Sequence, residues 1–194
     1  MISDKQLKGL VLCGGRSTRM QQDKSHIAYH GKPQWQYLHD LLQEFLPEVY
    51  LSCRPEQEFP GCDKRITDSL QSAGPSTGLL SAYHAQPETS WLVLACDLPL
   101  ISRQSVELLI GSRHPEKAAT AFISPFNGHP EPLIAIWEPA GLAALEREYL
   151  DGKNCPRKTM LKSDVFVLEN PYNTEQFNAN TPEEMRDAMG RIGE

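Results

Sequence analysis

Leu7-Lys8-Gly9-Leu10-Val11-Leu12-Cys13-Gly14-Gly15-Arg16-Ser17-Thr18-Arg19-Met20 joins an apolar run to paired glycines and two arginines. The run Leu7–Cys13 predicts a first strand. Glycines placed directly after a strand let backbone N–H groups approach phosphate oxygens that a side chain would keep away. Arg19 and Lys24 stand close enough in sequence to add positive charge. The alternative is a Gly-Gly surface turn with incidental basic residues. Two familiar phosphate loops are excluded. A P-loop needs glycine directly before Lys24-Ser25, where this chain has Asp23. The dinucleotide fingerprint fails because Arg16 follows Gly14-Gly15 and no third glycine is correctly placed.

Outward from this loop, short β-branched or aliphatic runs alternate with helix-like segments, which predicts an α/β fold with a mostly parallel sheet covered by helices. Strands are expected at Val49–Cys53, Arg65–Thr67 (a short edge strand), Trp91–Ala95, Ala119–Ile123, Leu133–Trp137 and Val165–Leu168. Pro33 opens a helix to about Phe45, with Trp35, Leu38, Leu41, Leu42 and Phe45 on one core-facing side. Gly74-Pro75-Ser76-Thr77-Gly78 reads as a turn capping a helix through Ala85. Ser102 caps a helix to about Arg113, and further helices are expected over Pro139–Leu150 and Pro156–Leu161. Thr181-Pro182-Glu183-Glu184 is a helix start, with a capping residue, proline at the first helical position and acids in the first turn. With 194 residues, no internal repeat and no linker-like stretch, residues 1–194 are expected to form a single domain.

Composition narrows the function classes. A formal charge of −6 opposes broad binding to nucleic acid or to an anionic membrane. Yet Arg16, Arg19, Lys24 and Lys32 cluster against Asp23 alone, which suits a small polyanion. No run approaches the roughly 18 apolar residues of a membrane span. Met1-Ile2-Ser3-Asp4-Lys5-Gln6 lacks a leader pattern, so a cytoplasmic location is expected. Five cysteines without a Cys-x-x-Cys pair argue against a disulfide framework or structural zinc. Cys13, Cys53 and Cys96 end apolar runs and read as small buried hydrophobes.

Asp97 follows a strand buried on both faces, at the carboxyl end where open α/β sheets gather ligand groups. Mg2+ prefers one or two carboxylates plus phosphate oxygens and water, so Asp97 is the candidate metal ligand. A carboxylate capping the following turn is the other reading. Asn178 and Asn180 would aim the same way from an extended segment. Equally, their amides could satisfy loop backbone ahead of the cap. His129 lies beside a strand, and Arg157 with Lys158 could meet an acceptor phosphate or cover a helix end.

At the level of these motifs the chain resembles the molybdenum cofactor guanylyltransferases and their nucleotidyltransferase relatives. Their signature runs approximately Leu-Ala-Gly-Gly-x-Ser-x-Arg-Met-Gly-x-Asp-Lys, then Gly-Lys-Pro. This chain carries Leu12 to Met20, Asp23-Lys24 and Gly31-Lys32-Pro33 in the same order. Cys96-Asp97-Leu98-Pro99, Thr67-Asp68-Ser69, Gly74-Pro75-Ser76-Thr77-Gly78 and Asn178-Ala179-Asn180-Thr181-Pro182 resemble further family segments. Departures are Cys13 for alanine, Gln21-Gln22 where a glycine is usual, and Cys53 for an asparagine at the end of the second strand.

The resemblance implies a three-layer Rossmann-like fold with a mixed sheet, and a Mg2+-dependent transfer of GMP from GTP to molybdopterin. It implies catalytic roles for Arg19, Lys24 and Asp97. Nucleotide contacts fall at Leu12, Cys13, Gly14, Gly15, Lys24, Asp68 and Asp97, with His129, Arg157, Asn178 and Asn180 on the acceptor side. Partners would be the two small-molecule substrates, with transient contact to molybdoenzyme apoproteins or other cofactor-synthesis proteins. A cytidylyltransferase, another small-molecule nucleotidyltransferase and a non-catalytic nucleotide carrier are the rival readings.

Overall fold

Strands form here where β-branched and aliphatic residues cluster, and the computed structural model arranges seven of them in one sheet. It describes residues 7–14, 23–70 and 74–193. The expected Gly15, Arg16, Arg19 and Gln21-Gln22 lie outside the described residues. In chain order the elements are β1 (Leu7–Leu12), α1 (Gln34–Gln43), β2 (Val49–Cys53), β3 (Arg65–Thr67), α2 (Pro75–Ala85), β4 (Ser90–Ala95), α3 (Arg103–Gly111), β5 (Ala119–Ile123), β6 (Pro130–Trp137), α4 (Pro139–Leu150), α5 (Pro156–Leu161), β7 (Val165–Leu168) and α6 (Pro182–Ile192). Short 3-10 turns occupy Lys24–His26 and Asn173–Gln176.

The sheet order is β3-β2-β1-β4-β6-β5-β7, with β6 antiparallel to both neighbours and the other pairs parallel. The expected α/β architecture with a mostly parallel, mixed sheet between helices is therefore the observed one. The two faces of each strand feed two different cores. Val11, Leu92 and Leu94 pack with Leu38, Leu42 and Leu109 from α1 and α3. Leu10, Trp91, Val93 and Trp137 pack with Leu79, Leu80, Leu142 and Met160 from α2, α4 and α5. All six residues of β4 are buried, as its unbroken apolar run requires. Each fully buried Leu or Val on this strand contributes about 1.5–3 kcal/mol relative to exposure. A small third cluster, Ile27, Tyr29, Ala179 and Ala188, seats α6 against the segment that follows Lys24.

Four details depart from expectation. β6 starts at Pro130, not Leu133, because Pro130 still pairs with Ile123 beyond a register shift. A proline is tolerated as the first residue of a strand. The helix α1 starts at Gln34, with Pro33 outside as its capping residue, and ends at Gln43, so Phe45 is only half-buried. The expected 74–78 turn is mostly the first turn of α2, which begins at Pro75. The strand β1 stops at Leu12, one residue early. By contrast Ser102 and Thr181 cap their helices as expected, Thr181 within a reciprocal capping box with Glu184.

Candidate active site

Parallel pairing places Leu12 opposite both Ser52 and Ala95, so β1, β2 and β4 end level. Cys13, Cys53 and Cys96, the next residues along, are all buried, in keeping with the expectation of small core hydrophobes. Cys13 and Cys96 stand 3.6 Å apart, sulfur to sulfur. Burial first, and the neighbouring Cys96 second, push the Cys13 thiol well above its ordinary range. Such a thiol is neutral at physiological pH and packs as an apolar group.

Immediately beyond this row, the sheet edge turns polar. Gly14 lies against Asp68: a Cβ there would stand 2.6 Å from Asp68 Oδ2. Any side chain here would have to push the Asp68 carboxylate aside. Asp68 is placed by its backbone N–H, which donates to Cys53 O at 2.8 Å, and Ser52 Oγ donates to its Oδ1 at 3.2 Å. Burial raises the Asp68 pKa, with Ser52 and Arg54 pulling the other way. Gly78, in the first turn of α2, is equally constrained, since a Cβ would collide with Ser52 Oγ and lie 2.7 Å from Leu12 Cδ2. The amino end of α2 therefore sits directly on the ends of β1 and β2.

Lys24 stands close enough to Asp97 across the same edge to act on it electrostatically. Asp23 caps the 3-10 turn, its Oδ1 accepting from Ser25 N at 3.0 Å and Ser25 Oγ at 2.7 Å. Lys24 Nζ donates to Asn180 Oδ1 at 2.7 Å. The Asp97 main-chain carbonyl accepts from Ala179 N at 2.9 Å, so the Asn178–Asn180 segment crosses directly over the residue. Asp97 Oδ1 is buried and accepts no hydrogen bond among the described residues. Burial raises the Asp97 pKa, the Lys24 ammonium opposes that rise, and Glu131 adds to it. A shielded carboxylate oxygen with no donor among the described residues, within electrostatic reach of a cation, can accept a charged ligand.

Three side chains grip the strand end that carries Asp97. Gln34 Nε2 donates to Leu98 O at 3.1 Å, His30 Nε2 to Pro99 O at 2.8 Å, and Tyr37 Oη to Ile101 O at 2.9 Å. The His30 ring also stacks on Tyr37 with centroids 3.7 Å apart. Sequence reasoning passed over all three. Their only signal was proximity to the Gly31-Lys32-Pro33 motif.

Among the acceptor-side candidates the outcomes differ. Asn180 joins Lys24. Arg157 lies in the first turn of α5 and its Nη2 meets Glu131 Oε1 at 3.3 Å, so it does not cover a helix carboxyl end. Glu131, which also faces Asp97 electrostatically, was not anticipated. Asn178 Nδ2 makes a long 3.4 Å bond to Gln176 O. His129 is exposed in the turn before β6, its backbone N–H donating to Asn127 Oδ1 at 2.9 Å. Among the described residues, the side chains of Asn178 and His129 do not join the Lys24–Asp97 group.

Residues 9–165 match the family model described as the MobA-like NTP transferase domain. The chain is 35% identical over 187 residues to a molybdenum cofactor biosynthesis bifunctional protein of Synechocystis sp., covering 94% of this chain and 54% of that protein. It thus spans about half the length of that relative. A molybdenum cofactor guanylyltransferase of Pseudomonas fluorescens is 32% identical over 183 residues, covering 90% of this chain and 89% of the relative. The crystal structure of molybdopterin-guanine dinucleotide biosynthesis protein A from Archaeoglobus fulgidus superposes with a TM-score of 0.78 at 22% identity, covering 96% of this chain and 98% of that one. At that identity the likeness is one of fold. The family model covers most of the chain and a relative matches along nearly its whole length, so the chain belongs to the MobA-like NTP transferase domain family.

Proposed function

We propose that this protein transfers GMP from GTP to the terminal phosphate of molybdopterin, releasing pyrophosphate and forming the guanine dinucleotide form of the cofactor. The observation that carries the reading is the shielded Asp97 Oδ1, which has no donor among the described residues, within electrostatic reach of Lys24 at the end of the sheet that also carries Gly14. The naming of the Pseudomonas fluorescens relative as a guanylyltransferase favours GTP.

The donor set at Asp97 fits a divalent cation. The described residues hold no cluster of three or more His, Cys, Asp or Glu side chains suited to a metal. One carboxylate would then leave the remaining positions to phosphate oxygens and water, as Mg2+ prefers. Bound there, Mg2+ would neutralise phosphate charge.

The chain's own groups would do the rest. Backbone at Leu12, Cys13, Gly14 and Gly15 lines the triphosphate, Asp68 holds the nucleoside, and Lys24 with Arg19 stabilises charge on the departing pyrophosphate. An oxygen of the acceptor phosphate attacks the α-phosphorus in line as the bond to the β-phosphate oxygen breaks. A phosphate monoester is largely ionised near neutral pH, so no strong general base is needed. Asn180, fixed on Lys24, would orient the acceptor, and of the other acceptor-side candidates Arg157 is held by Glu131, which acts electrostatically on Asp97.

Pyrophosphate release tests the reading, measured with Mg2+, molybdopterin and each of the four nucleoside triphosphates in turn. GTP should be preferred. Turnover of another triphosphate with none of GTP would overturn the guanylyl assignment, and binding without any turnover would indicate a carrier.

A further inference from the structure

The turn that follows β2 contains a cluster of contacts that the proposed chemistry does not use. Gln57 Nε2 donates both to Cys13 O at 3.0 Å and to Asp23 Oδ2 at 2.6 Å. Arg54 Nη1 donates to Gly14 O at 2.9 Å, while its Nη2 lies 3.6 Å from Asp23 Oδ2. The turn is closed on itself, with Arg54 N donating to Gln57 Oε1 at 2.9 Å and Gln57 N to Arg54 O at 3.2 Å. Gln57 is buried.

We infer that Arg54 and Gln57 are positioning residues that clasp the end of β1 to Asp23 and so set the placement of both Gly14 and Lys24. The ladder of β1 ends with Cys13 N donating to Ser52 O. Beyond it, the Cys13 and Gly14 carbonyls have left the sheet, and Gln57 and Arg54 supply their donors. A peptide unit is planar and trans, so holding Cys13 O toward Gln57 turns the Gly14 N–H to the opposite side. The clasp thereby orients a backbone donor.

Its second arm works through Asp23. Oδ2 is held by Gln57, and Oδ1 caps the turn that carries Lys24. Burial works against ionisation of Asp23, but the bonds from Ser25 and Gln57 outweigh it and hold the carboxyl below its ordinary range. Lys24 is then fixed at its base by Asp23 and at its tip by Asn180. The asparagine usual in the family at the end of the second strand is here the buried Cys53. In this chain the strand end serves the site through the next residue, Arg54.

The inference rests on the reading of Gly14 and Lys24 as triphosphate groups, and the experiment separates the two. Gln57→Ala and Arg54→Lys are compared with the wild-type protein for GTP dissociation constant by calorimetry with Mg2+, for KM and kcat, and for thermal unfolding. Gln57→Ala should weaken GTP binding and raise KM about tenfold, the worth of one to two hydrogen bonds, and should lower kcat as well through the displaced Lys24. Arg54→Lys keeps the charge but cannot reach both Gly14 O and Asp23, and should raise KM about threefold. It also carries the test by itself if Gln57→Ala does not fold, because Arg54 is partly exposed. GTP affinity unchanged in both variants overturns the inference while leaving the proposed function intact. A wild-type protein that binds no GTP overturns both.

Discussion

Replacing Gly14 by alanine puts the contact between Gly14 and Asp68 to a quantitative test. The new methyl would stand 2.6 Å from Asp68 Oδ2, and must retreat by about 0.4 Å to reach the 3.0 Å limit that real Cβ atoms respect. The atom in its way is the far end of a side chain, so the carboxylate yields rather than the backbone. What that movement sacrifices is the 3.2 Å bond from Ser52, worth about 0.5–1.5 kcal/mol net. For a chain of this size each kcal/mol shifts Tm by about 2–4 °C, so unfolding should move only a few degrees. Nucleotide binding should suffer more. A hydrogen bond from a nucleoside hydroxyl or base N–H to a carboxylate is worth about 1.5–3 kcal/mol, and losing it raises KM for GTP about 10- to 150-fold. The assay is steady-state pyrophosphate release against GTP concentration, beside a melting curve. In an Asp68→Ala background the clash is gone, and Gly14→Ala should then change KM by less than about twofold. A KM unaltered by Gly14→Ala in the wild-type chain, or an equal penalty in both backgrounds, would refute the reasoning.

Asp97→Asn should lower turnover by at least about 100-fold while GTP binding is partly kept, read by single-turnover kinetics and calorimetry. The same change should raise the Tm of the ligand-free protein. Burial raises the folded-state pKa of Asp97, so the stability tied to its proton is complete below the unfolded pKa and is lost as pH rises through the folded value. The gain from asparagine should therefore be largest at about pH 8 and should shrink on acidification. Away from the site, Arg113 and Glu138 form a buried pair, Nε to Oε1 2.7 Å, with side chains 8% and 3% exposed. Glu138→Ala should cost about 3–5 kcal/mol by stranding the guanidinium, seen as a fall in Tm of roughly 10 °C with the GTP dissociation constant of the folded protein unchanged.

Much of the fold was written in local patterns. The unbroken apolar run ending at Ala95 identified the doubly covered β4, and Pro139, Pro156 and Thr181-Pro182 marked helix starts that the structure reproduces to the residue. Errors arose where a pattern names a buried face without saying where it stops. Phe45 keeps the α1 period yet lies beyond the helix end, and the Gly74–Gly78 segment reads as a turn although Pro75 already starts α2. The strand β6 gains three residues because Ile123 continues to pair across a shift that no single strand encodes.

The residues of the candidate site divide in the same way. Gly14, Lys24, Asp97 and Asn180 could be picked from sequence, since strand ends, paired glycines and capping patterns are properties of consecutive residues, whereas Asp68 read as an ordinary turn without the family resemblance. Arg54, Gln57, Glu131, His30, Gln34 and Tyr37 could not. Their partners lie tens of residues away: Arg54 and Gln57 reach theirs because parallel pairing sets Ser52 beside Leu12, and His30, Gln34 and Tyr37 reach theirs because the α1 region docks on the chain after β4. Consecutive residues report periodicity and chain conformation, and from these the α/β class and the polar edge follow. Which side chain donates to which carbonyl across that edge depends on strand register and helix docking. Those are decided by packing in three dimensions, and so was the orientation of Gly14 and Lys24.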